Sequence, residues 1–110
     1  MTTTETPLQA VERLANEAYE SGALTPMRGT TRGCALGAAY KRVFGRIPDC
    51  PATAILRLGL SLPAGTGVAN GFDDVRHRSW VDDPDYGYGY DVGARLAAKW
   101  LDDQKEDEAL

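Results

Sequence analysis

The chain is poor in the residues that build metal and redox centres, with one histidine and two cysteines in 110 residues. His77 stands alone and no Cys-x-x-Cys pair occurs, so the ligand spacing of a zinc site is missing and no metal is expected. No apolar run approaches the ~20 residues of a membrane span. The first residues, Met1-Thr2-Thr3-Thr4-Glu5, supply neither the basic nor the apolar region of an export signal. A cytoplasmic protein with no membrane partner and with Cys34 and Cys50 as free thiols is therefore expected. Period-two alternation and internal repeats are also wanting, which argues against a sheet or a solenoid.

The hydrophobic fraction of 43% is enough to build one core, and the length suits one domain. Thr6-Pro7-Leu8-Gln9 reads as a capped helix start, with Thr6 and Gln9 as a capping box and Pro7 at the first helical position. Leu8, Val11, Leu14, Ala15, Ala18 and Tyr19 follow at helical spacing up to Gly22. A second helix is predicted from about Cys34 to Phe44, ended by Gly45, with Ala35, Gly37, Ala38 and Ala39 forming a small-residue face able to pair in a homodimer. A third starts near Cys50-Pro51 and runs to about Leu60. Residues 61–89, rich in Gly, Pro, Asp and Tyr, show no sustained period and read as a long irregular segment. A last helix, capped by Asp91, is predicted from Val92 to about Leu101. The expected fold is mostly α: one domain over residues 6–101 with about four helices, between a disordered start at 1–5 and an acidic tail at 102–110.

Charge is unevenly spread. Residues 28–57 carry Arg28, Arg32, Lys41, Arg42, Arg46 and Arg57 against Asp49 alone, a local +5, whereas residues 73–91 carry six aspartates against Arg76 and Arg78, a local −4. The basic stretch suits nucleic-acid phosphate, although no recognised reader motif accompanies it. The aspartates fail as an EF-hand: counted from Asp83, the sixth residue is Tyr88 rather than Gly and the twelfth is Ala94 rather than Glu. Gly29-Thr30-Thr31-Arg32-Gly33 lacks the Lys-Ser/Thr pair of a P-loop, and Gly65-Thr66-Gly67 follows no strand, so no nucleotide cofactor is expected.

Two constellations remain. Cys34, in the first turn of a helix, with His77 and a nearby aspartate would make a nucleophile and base, the basis of an enzyme or small-ligand reading. Trp80, Asp82, Asp83, Asp85, Tyr86 and Tyr88 instead place amphipathic rings among carboxylates, the composition of a protein-binding loop.

Arg32-Gly33-Cys34-Ala35-Leu36-Gly37-Ala38-Ala39, a later aliphatic helix, Gly71-Phe72-Asp73-Asp74 and a C-terminal helix occur in that order over about residues 30–101. This order resembles a group of small actinobacterial and actinophage proteins with a Cys-(Ala/Leu)-Leu-Gly-Ala motif, an Asn-Asp motif and a terminal amphipathic helix. The chain departs from the pattern at Phe72-Asp73, where the group has Asn-Asp, and in the Asp/Tyr/Gly stretch before the last helix. The resemblance implies a compact helical domain, a phage or mobile-element origin and an accessory role in binding a host protein. It carries over no catalytic residue. The leading expectation is a non-catalytic protein that binds a partner macromolecule through the six residues from Trp80 to Tyr88.

Overall fold

Proline opens four of the five α-helices among the described residues. In the computed structural model, which describes residues 5–30, 33–75 and 82–102, the helices are α1 (Pro7–Glu20), α2 (Ala35–Phe44), α3 (Pro51–Arg57), α4 (Leu62–Asp73) and α5 (Pro84–Ala97). Pro7, Pro51, Pro63 and Pro84 lie in the first two positions of α1, α3, α4 and α5, where a missing N–H leaves no bond unmade. A π-helical stretch, Ala98–Asp102, extends α5. No strand occurs among the described residues, and no helix among them is long and apolar enough to cross a membrane.

The first three helices start where their sequence signals place them, but α3 ends at Arg57 and not near Leu60, because Gly59 turns into the left-handed region. Thr6 Oγ1 accepts from the Gln9 N–H at 3.1 Å while Gln9 Oε1 accepts from the Thr6 N–H at 2.9 Å, closing the capping box. Gly45 ends α2 in the left-handed region at φ 76°, a conformation that costs glycine little. Glu5 lies against the body, its carboxylate accepting from Arg13 at 2.9 Å.

The expected irregular segment over 61–89 is corrected: α4 and the first half of α5 occupy most of it. The last helix likewise starts at Pro84, capped by Asp83, and not at Val92 after Asp91. The cause is packing between backbones. A Cβ on Gly67 would overlap the Tyr86 carbonyl of α5, and one on Gly71 the Tyr90 carbonyl. From the other side, a Cβ on Gly89 would strike the Ala64 carbonyl and one on Gly93 the Val68 carbonyl. Glycine weakens an isolated helix by about 1 kcal/mol relative to alanine, but here it lets two helices meet along their main chains. Local propensity loses to that contact.

Beneath this pair lies the core, in which Tyr40, Phe72, Leu36, Leu96, Val11 and Val68 are the largest fully buried side chains. The small face of α2, including Ala35, Ala38 and Ala39, is buried within it, so the expected homodimer through that face has no surface to use. Tyr19 ties α1 to the end of α4 and the segment before α2: its hydroxyl donates to the Gly33 carbonyl and its ring stacks 6.3 Å from Phe72. Arg28 Nε donates to the Phe72 carbonyl, and the Gly29 N–H donates to Asp73 Oδ1, both at 2.9 Å.

The glycines of α5 should therefore differ sharply on substitution. Gly87 has open space where a Cβ would stand, so Gly87→Ala is expected to stabilise the protein by about 0.5–1 kcal/mol in urea unfolding. Gly93→Ala must separate the helices and is expected to cost about 3 kcal/mol. Equal effects at the two positions would rule out backbone contact as the organising force.

Candidate functional site

An open groove of about 500 Å³ lies where the start of α1, the turn between α3 and α4, and one face of α5 converge. The capping box fixes the first contributor, Thr6 to Gln9. The second depends on Gly59, whose left-handed φ of 76° turns the chain so that Leu60 and Ser61 face the opening. Ser61 then caps α4, accepting from the Ala64 N–H at 3.2 Å, and its hydroxyl donates to Asp85 Oδ2 at 3.3 Å. Asp85, Tyr88, Val92 and Arg95 recur every three or four residues along α5 and so share the groove-facing side.

Pro7, Leu8, Leu60, Ala64 and Val92 give the groove apolar walls, and Tyr88 stands over them 65% exposed. Charge is carried by Asp85, Asp91, Glu12 and Arg95. Arg95 is spent on Glu12 through bonds of 2.9 and 3.0 Å, and that carboxylate holds the guanidinium pKa above its ordinary value. The remaining charges, Asp85 and Asp91, make the site negative. A second depression, of about 530 Å³, is bordered by Glu17, Glu20, Lys41 and Arg42; it mixes both signs, with Arg42 3.7 Å from Glu17.

The six residues expected to contact a partner are divided by the fold. Asp85 and Tyr88 reach the groove. Asp83 works locally as the cap of α5, accepting from the Asp85 N–H at 2.9 Å, and Asp82 is exposed just before it. Tyr86 is only 5% exposed, its ring 5.9 Å from that of Tyr90 and its hydroxyl accepting from Asn70 Nδ2 at 3.4 Å. The expectation of a flexible loop displaying Tyr86 is thus corrected, because a helix from Pro84 turns positions 86 and 88 to different sides. Trp80 lies outside the described residues. Sequence reasoning missed Leu8, Leu60, Asp91, Val92 and Arg95 as neighbours. The usable signal was Asp83-Pro84, a cap followed by a helix-starting proline, from which the three-and-four spacing follows.

The thiols go against the enzyme alternative. Cys34 does precede a helix, but it is 6% exposed, and burial pushes its pKa up beyond what the N–H groups of Gly37 and Leu36 can offset. Its supposed partner His77 lies outside the described residues. Cys50 is the activated thiol. It is exposed, its sulfur lies 3.3 Å from Thr53 Oγ1, and that hydroxyl together with first-turn N–H groups lowers its pKa. Among the described residues, no group of three or more His, Cys, Asp or Glu side chains is arranged to hold a metal ion.

Compared with protein-family models, curated proteins and solved structures, the chain matches none of them.

In the native protein, iodoacetamide should label Cys50 at least about tenfold faster than Cys34 at neutral pH, given their opposite pKa shifts and exposures. Equal rates on peptide mapping would refute this ranking. Burial also raises Tyr19, and ionisation of either buried group works against the fold at alkaline pH. Both must stay protonated in the fold, so their contribution is whole below the ordinary values of 9.0 and 10.0 and is lost as pH climbs above them. The melting temperature should begin to fall near pH 9.0, and near 10.0 in Cys34→Ala. An identical alkaline profile in the variant would remove Cys34 from this account.

Proposed function

We propose that the chain is a small non-catalytic accessory protein whose groove between α1 and α5 receives a segment of a protein partner, apolar in its contacts and positively charged beside them. The observation that carries this reading is the pairing of apolar walls with Asp85, Asp91 and the exposed Tyr88 in one opening. Tyrosine offers a large contact area at modest entropic cost, and carboxylates on a rim select cations and reject phosphate. An accessory role is also what the resemblance of the Arg32–Ala39 stretch to small actinobacterial and actinophage proteins implies.

The enzyme reading is the weaker one. Its nucleophile, Cys34, is buried with a raised pKa, whereas a reactive thiol needs exposure and a lowered one. Nucleic-acid binding also loses support, because three cations of the 28–57 stretch already have partners within the chain. Arg28 donates to the Phe72 carbonyl, Arg42 faces Glu17, and Arg57 donates to the Tyr40 hydroxyl at 3.2 Å.

The test uses a fluorescein-labelled amphipathic peptide built only from leucine and lysine, with a leucine–glutamate peptide as control. The lysine peptide is expected to bind and the glutamate peptide is not. Tyr88→Ala should weaken binding at least about tenfold, about 1.4 kcal/mol, while shifting stability by no more than about 0.5 kcal/mol. Tyr86→Ala should instead cost about 3 kcal/mol of stability, as loss of a buried ring does. Equal binding of both peptides, or indifference to Tyr88→Ala, would overturn the proposal.

A further inference from the structure

The groove has a chemical counterpart on the same chain. Among the described residues, Val43, Phe44 and Leu56 are exposed large apolar side chains on α2 and α3, and Leu56, at 78%, is the most exposed of its kind. Scattered surface leucines need no explanation, but the next residue, Arg57, brings a fixed cation to the same end of α3. The Arg57 guanidinium lies 5.9 Å above the Phe44 ring and donates to the Tyr40 hydroxyl, so its charge is fixed beside an exposed aromatic ring. An apolar surface carrying an ordered cation is the chemistry that Asp85, Asp91 and Tyr88 select.

The two surfaces also adjoin. Leu56 and Arg57 end α3, and Gly59, Leu60 and Ser61, the next residues but one, already line the groove. Two adjacent, unlike and complementary patches on one chain are what a two-fold axis satisfies twice, with each patch meeting its counterpart on the other copy. We propose that a second copy of this chain closes the groove, forming a symmetric dimer in which the Leu56–Arg57 surface of each copy covers the Asp85–Asp91 rim of the other. The inference rests on the groove being a binding site for apolar, cationic surfaces. Its consequence is regulatory: the dimer hides the groove, and a partner segment must displace the second copy.

Sedimentation velocity over a concentration series tests this on the full chain. The mass should rise from 11.9 kDa toward twice that value with concentration. Leu56→Glu alters a side chain already in solvent and should weaken the dimer at least about tenfold with helical circular dichroism unchanged. Arg57→Glu and the double variant Asp85→Lys/Asp91→Lys should each be monomeric. An equimolar mixture of those two should dimerise again, because the reversed charges meet at one of the two contacts and the native pair meets at the other. A wild-type chain that stays at 11.9 kDa, a dimer indifferent to Leu56→Glu, or a mixture that stays monomeric would overturn the proposal. If the leucine–lysine peptide still binds such a monomer in a Tyr88-dependent way, the groove reading stands and only the dimer fails. If neither peptide nor second copy binds, both fall.

Discussion

Main-chain contact between α4 and α5 is the constraint on which the other features depend. Four glycines, Gly67 and Gly71 on one helix and Gly89 and Gly93 on the other, stand where any side chain would collide with a carbonyl across the interface. The contact fixes the rotation of α5 about its own axis. With Gly89 and Gly93 turned toward α4, Tyr88 and Asp91 must turn away from it, and Val92 and Arg95 come to face the start of α1. The groove is thus a by-product of how closely two helices pack. Its outer wall is secured by Arg95 and Glu12, a pair in solvent that adds little stability but orients α5 against α1.

That same contact explains which parts of the fold are legible in the chain. α1, α2 and α3 carry signals that act within one element: the Thr6–Gln9 box, the terminal Gly45, and Pro51 at a helix start. α4 and α5 hold six glycines between them, and glycine in a window of local propensity reads as loop. What stabilises these two helices lies in each other, more than a dozen residues away in sequence. A local reading has no access to it. A trace of it survives in the spacing, because Gly67 and Gly71, like Gly89 and Gly93, are four residues apart and so share a helix face. Read with the caps at Ser61 and Asp83, those intervals mark two helices made to pack closely.

The site was half legible for the same reason. The residue types around Asp85 and Tyr88 point to binding without any knowledge of structure, since exposed tyrosine beside carboxylate suits an interface whatever the backbone does. Which of the tyrosines is exposed depends on the backbone. In an extended or flexible strand, positions 86, 88 and 90 would share a side, whereas a helix separates them by about 200° at each step of two. Tyr86 therefore turns inward against Asn70 and Tyr90, and Tyr88 turns out over Val92 and Leu60.

Cys34 and Cys50 show the same dependence in electrostatic form. Both precede helices and both meet first-turn N–H groups, a setting that lowers a thiol pKa. They differ in what covers them. α2 is driven into the core by Leu36 and Tyr40, and it takes Cys34 with it to a place where desolvation outweighs the N–H groups. α3 is short and buries only Ala54 and Ile55, so its first turn stays in water and Cys50 keeps the benefit of Thr53. A motif at a helix start supplies only part of a reactive group. Whether the opposing cost of burial is also incurred is decided by the apolar residues further along the same helix.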